Sequence, residues 1–161
     1  MMKWTFLTGL FILATSSGFA QDEESLERWI PYSNTSSIGA NAGFTTGVGF
    51  SFRHFHNKDG YQITFIPVID ADNSFVSLGT TYLRKITQKK EYDFLFYASH
   101  HYNYYDDRSI SNLGAGVGFN FHLSKDFHAN VMAGYAAYDI LSDIKSYPTI
   151  ETGIFYRFHR K

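Results

Sequence analysis

The sequence predicts an all-β chain folded as one eight-stranded, antiparallel, up-and-down transmembrane β-barrel, and three observations carry that expectation. The first is Asn112 to Leu123, where Leu113, Ala115, Val117, Phe119, Phe121 and Leu123 alternate without a break against Asn112, Gly114, Gly116, Gly118, Asn120 and His122. Successive strand residues point to opposite faces, so one face is wholly apolar and the other carries glycine and small polar groups. A soluble sheet would place bulky charge on its polar side. Small, mild side chains instead suit the crowded interior of a narrow closed barrel, and a continuous apolar face suits lipid. The second observation is that seven other runs repeat the alternation. The third is an aromatic content of 19%, with 12 Tyr and 16 Phe, which fits an interfacial girdle where a ring lies in lipid while a hydroxyl stays wet.

A mean hydropathy of -0.22 does not oppose this reading. A spanning helix needs ~20 consecutive apolar residues, but a spanning strand needs only about 9 to 11 with every second one apolar, so average hydropathy does not register barrels. The 161 residues allow one domain, and the absence of cysteine rules out a disulfide framework. A net charge of -1, with no basic stripe interleaved with stacking aromatics, argues against nucleic-acid binding.

Residues 1–20 read as a secretory signal peptide, with Lys3 as the positive start, an apolar stretch from Trp4 to Ala14, and Gly18-Phe19-Ala20 offering small residues for cleavage after Ala20. Residues 21–35 form a lead-in. Leu26, Trp29 and Ile30 behind Asp22, Glu23 and Glu24 could make one helical turn that Pro31 stops. The barrel domain is placed at 36–161.

Its first run, Ser36 to Phe44, sends Ile38, Ala40, Ala42 and Phe44 outward and Ser37, Gly39, Asn41 and Gly43 inward, and Thr45-Thr46-Gly47 makes a tight connection. Val48 to Phe55 turns Arg53 and Phe55 inward, and His56 to Gly60 is a turn by composition. Tyr61 to Asp70 contains Pro67, where a bulge near the rim is expected to absorb the missing hydrogen bond. Phe75 to Ile86 turns Leu83 and Lys85 inward and leaves Arg84 outside, its stem reaching the headgroups. After the charged turn Thr87 to Glu91, Tyr92 to Tyr105 turns Asp93, Tyr97, Ser99 and His101 inward. A loop is expected over Asp106 to Ser111, the opening strand follows, and Phe127 to Asp139 turns His128, Asn130 and Met132 inward. A second loop is expected over Ile140 to Tyr147, before the last run, Pro148 to His159.

That last run contains Glu151-Thr152-Gly153-Ile154-Phe155-Tyr156-Arg157-Phe158, a polar-x-Gly-x-x-aromatic-x-aromatic pattern. Here the chain resembles the bacterial outer-membrane barrel proteins, with the architecture of the small eight-stranded OmpA/OmpX-type barrels. The resemblance implies that Glu151, Gly153, Tyr156 and Phe158 carry a signal for the barrel-assembly machinery. It departs from the pattern in that His159, Arg160 and Lys161 extend past the final aromatic. It also implies an integral outer-membrane location in a Gram-negative-type envelope, with outer-membrane lipid as surroundings and both termini on the periplasmic side. It names no activity.

Strand phasing places Arg53, Lys85, Asp93, His122, His128 and Arg157 in the lumen toward the periplasmic end, and Glu151 in the lumen toward the other. Buried charges must be paired or wet, so a plug is expected in which Asp93 pairs with Lys85 or Arg53. His100 and His101, adjacent on a strand, face opposite ways and do not share a metal; no cofactor is expected. A lipid-modifying acyl hydrolase or acyltransferase is the alternative function, and it needs a serine, a histidine and a carboxylate converging across strands, for example Asp70 or Asp72 with Ser74 at the rim. A soluble lipocalin-like carrier would instead turn its apolar residues inward. The expectation is therefore a non-enzymatic barrel with a filled lumen and a structural or surface-interaction role.

Overall fold

The computed structural model describes residues 34–69, 74–105, 108–142 and 144–158. The signal-peptide stretch, the lead-in up to residue 33, Asp70, Asp72 and residues 159–161 lie outside the described residues. Eight strands follow in chain order: β1 (Thr35–Gly43), β2 (Gly49–His56), β3 (Asp59–Ile69), β4 (Ser74–Gln88), β5 (Tyr92–Tyr105), β6 (Arg108–His122), β7 (Phe127–Tyr138) and β8 (Lys145–Phe158). Each pairs antiparallel with the next, and β8 pairs back onto β1 to close the barrel.

Side-chain direction follows the period-2 pattern on every strand. Ile38, Phe50, Ile63, Leu78, Phe96, Phe119, Val131 and Ile154 are exposed on the outside. Arg53, Gln62, Lys85, Asp93, Asn130 and Glu151 are buried within. This distribution is the inverse of a soluble carrier barrel.

The interior is not filled only by mild residues, however. Tyr97, Phe155, Leu83, Leu95 and Met132 are among the largest fully buried side chains. The inward glycines explain how they fit. A Cβ on Gly118 would lie 2.4 Å from Met132 Cγ, one on Gly60 2.5 Å from the Phe55 ring, and one on Gly153 2.8 Å from the Phe155 ring. Large and small residues thus share each layer of a narrow lumen, and the glycine face is the seat of the large ones. Gly116 and Gly134 face one another across β6 and β7, and a Cβ on Gly116 would stand 2.2 Å from the Ala133 carbonyl oxygen.

Several local expectations need correction. Pro67 sits in an unbroken β3–β4 register opposite Val76, without a bulge. The pairing of β2 with β3 stops at Phe50–Phe65, so the flank of Pro67 toward β2 is unpaired and a missing N–H costs no ladder bond there. Pro148 repeats the device, because β1 pairs with β8 no further than Gly43–Glu151. The register shift that does occur lies in β4 between Lys85 and Thr87. The strands also run into stretches expected as turn or loop: Tyr105 pairs with Arg108, Tyr138 with Lys145, and His56 with Asp59. Polar residues beyond the apolar belt still complete a ladder, although they carry no alternation to announce it. The β2–β3 turn shrinks to Asn57 and Lys58, with Asn57 in the left-handed region at φ 56°.

Replacing Gly116 by Val forces a side chain against backbone that has no room to yield. Gly116→Val is expected to lower unfolding stability by about 3 kcal/mol, the upper end of ordinary overpacking, measured by urea titration in detergent micelles.

Candidate functional site

Buried polar side chains fill the lumen in two layers. The first lies toward the end that holds the termini and the turns after β2, β4 and β6, and it is built from the charged residues of β2, β4, β5, β6, β7 and β8. Asp93 is fully buried and accepts from Lys85 Nζ at 3.5 Å, His122 Nε2 at 3.2 Å and Asn120 Nδ2 at 3.4 Å. Of the two cations expected as its partner, Lys85 makes the ion pair. Arg53 is satisfied by neutral amides instead: Nε and Nη2 donate to Gln62 Oε1 at 2.9 and 2.6 Å, Nη1 to Asn120 Oδ1 at 3.3 Å and Nη2 to Asn130 Oδ1 at 3.3 Å.

Both cations also lie over rings. Arg53 Cζ is 3.8 Å from the Phe155 centroid and Lys85 Nζ 4.6 Å from that of Phe55. The desolvated charge is thereby met by ring quadrupoles as well as by dipoles. His128 packs edge-on against His122, with ring centroids 5.0 Å apart, and its Nδ1 faces Arg157 Nη2 at 3.5 Å. All six residues of the expected cluster therefore line one layer.

The second layer lies toward the opposite end, and sequence reasoning missed its principal part. The connection between β1 and β2 does not stay at the rim but folds into the barrel, where Thr45 and Thr46 have no exposed surface. Glu151, also fully buried, accepts five hydrogen bonds. Thr45 donates from N at 3.2 Å and Oγ1 at 2.8 Å, Thr46 from N at 3.3 Å and Oγ1 at 2.7 Å, and Thr149 from Oγ1 at 2.6 Å. Five donors replace the water that a buried carboxyl group would otherwise need.

Neighbouring strands hold the same segment. Ser99 Oγ donates to Thr45 Oγ1 at 2.8 Å, and Asn41 Nδ2 donates to Thr46 Oγ1 at 2.7 Å and to the Gly47 carbonyl at 3.0 Å. Only glycine lets the opposite wall accept it. A Cβ on Gly79 would fall 2.0 Å from the Thr46 carbonyl oxygen, and one on Gly114 2.6 Å from Thr45 Oγ1. The available signal was Glu151 itself, an inward carboxylate whose phase places no cation beside it. Beyond the segment a cavity of about 380 Å³ opens at the mouth, lined by Phe44, Val48, Phe75, His101, Asn103 and Ile150.

Histidine and serine meet three times across strands, which the reading of single strands could not show. His101 Nδ1 donates to the Phe44 carbonyl at 2.8 Å, leaving Nε2 to accept from Ser77 Oγ at 2.8 Å. His100 Nε2 meets Ser111 Oγ at 2.7 Å, and His54 Nδ1 meets Ser36 Oγ at 2.9 Å. Among the described residues no carboxylate is hydrogen-bonded to any of these three histidines. Ser77 is moreover fully buried. On the outside, Arg84 turns to Asp59, its cross-strand partner, at 3.3 Å, and Tyr82 donates to the same carboxylate.

No protein-family model and no curated protein sequence matches the chain. In fold it is similar to the N-terminal β-barrel domain of OprF from Pseudomonas aeruginosa, with a TM-score of 0.50 and 13% identity over 80% of this chain and 98% of that one. It also matches Ail, the attachment invasion locus protein of Yersinia pestis, with a TM-score of 0.43 and 21% identity over 80% of this chain and 100% of that one. The molecule is a small, closed, eight-stranded antiparallel β-barrel of the architecture shared by outer-membrane barrel proteins.

Breaking the buried Lys85–Asp93 pair from one side strands a charge. Lys85→Met is expected to destabilise the barrel by about 3 kcal/mol, and Lys85→Met combined with Asp93→Leu to recover most of that loss, read from urea midpoints of the two variants.

Proposed function

We propose that the chain is an integral outer-membrane protein whose closed barrel contributes to envelope structure or surface contact and neither conducts solutes nor catalyses a reaction. The observation that supports this most strongly is the inverted burial. Every strand turns large apolar side chains outward, Phe50 with 79% and Ile154 with 59% exposure among them, so the apolar belt runs around the whole circumference. A monomer in water rarely exposes a contiguous apolar patch beyond a few hundred Å². Hydrocarbon removes the penalty, and a closed sheet pairs its backbone groups within itself and not with solvent.

Outward rings gather near both ends, as a girdle requires. Tyr61 and Tyr82, and Phe127 and Tyr156, pack together beside the short turns, while Tyr105, Tyr135 and Tyr147 are exposed toward the opposite end. In this reading the end with the short turns and the termini faces the periplasm. Residues 1–20 direct export and are cleaved, and Glu151, Gly153, Tyr156 and Phe158 present the last strand to the barrel-assembly machinery. Glu151 then serves twice, first in recognition and afterwards inside the lumen.

The two filled layers support a barrel that does not conduct. The absence of a carboxylate behind any serine–histidine pair among the described residues weighs against the acyl hydrolase or acyltransferase reading.

Two measurements test the proposal. The purified barrel in a planar bilayer is expected to remain electrically silent and to release no fatty acid from phospholipid vesicles; steady conductance or acyl release overturns it. Val131→Arg is expected to cost about 2 to 4 kcal/mol of folding free energy in lipid, as a cation on the lipid face near the midplane does, whereas a cost within about 0.5 kcal/mol, as at an ordinary surface position, would mean that this face meets water.

A further inference from the structure

We infer that the Phe44 to Gly47 connection is a movable lid over the lumen and that Glu151 is the latch that keeps it shut. The inference rests on the closed-lumen reading above and adds how the far end is closed. A connection between two antiparallel strands has no topological need to enter the barrel, yet Thr45 and Thr46 lie wholly inside it. Four of the five hydrogen bonds on the Glu151 carboxylate come from these two residues. The remaining holds are neutral: Ser99 on Thr45, Asn41 on Thr46 and Gly47, and His101 with Asn112 on the Phe44 carbonyl. Glu151 therefore holds the segment by more hydrogen bonds than any other side chain.

The surroundings are built for movement. The lid follows Gly43, ends in Gly47 at φ 86° and is followed two residues later by Gly49 at φ 133°. β1 pairs with β2 no further than Asn41–Gly49, and with β8 no further than Gly43–Glu151, so lifting the lid breaks no ladder. The wall behind it is smooth at Gly79 and Gly114, where a side chain would occupy the space the lid fills. Beneath it lie Ser99 and, opposite Ser99 on β4, the buried Thr81. The layer around Arg53 and Asp93 shares none of these bonds and stays in place when the lid opens.

The chain contains no cysteine, so a single one reports on the lid. Thr81→Cys, buried opposite Ser99 and outside the bonds that hold the lid, is expected to react with a water-soluble maleimide in micelles about tenfold or more slowly than Ser109→Cys on the exposed stretch of β6, because reaction waits for local opening. Adding Glu151→Ala should raise the Thr81→Cys rate to near that of Ser109→Cys. Glu151→Gln, which keeps the shape but loses the charge, should raise it partway, and it decides the matter if the alanine variant does not fold by gel mobility. Unchanged protection in a folded Glu151 variant overturns the latch, as does a Thr81→Cys that labels freely with Glu151 in place. Conductance by the unaltered barrel would instead overturn the closed-lumen reading, so the two failures are distinguishable.

Discussion

Closure of the sheet is the constraint from which the rest of the structure follows. In a barrel of eight strands each residue points either to the outside or into a lumen about as wide as the side chains that fill it. There is no third direction and no edge strand on which a misfit could be placed. Each inward substitution is therefore answered by a neighbour, which is why Gly118 faces Met132, Gly60 faces Phe55 and Gly114 faces Thr45.

The same constraint governs charge. A lumen this narrow holds little water, so ionised groups are stable only where dipoles, rings or opposite charges replace it. The structure answers in two different ways. Around Asp93 the answer is an ion pair with Lys85, helped by His122 and Asn120. Around Glu151 it is hydroxyl and amide groups alone, supplied largely by a loop folded in from the rim. The chain thus uses a connection, and not only its strands, as filling material.

Unequal strand length links these features. β1 and β2 are the shortest strands, and their early ending leaves β3 and β8 overhanging on one side of the barrel. Pro67 and Pro148 both occur on these overhangs, where their missing N–H groups are harmless. The gap also provides the path by which the β1–β2 connection enters the lumen.

Alternation along each strand made the fold class, the strand count and the inward or outward direction of side chains legible before any coordinates, because a period of two depends only on local backbone geometry. The cluster of Arg53, Lys85, Asp93, His122, His128 and Arg157 was legible as a layer for the same reason. The choice of Lys85 over Arg53 for Asp93, the three serine–histidine pairs and the capture of Thr45 and Thr46 by Glu151 were decided only in three dimensions. Each depends on stagger between strands distant in sequence, on a lumen width set by closure, and on the course of a connection that carries no periodicity. Local pattern determined which way each residue faces, and tertiary structure alone determined what it meets there.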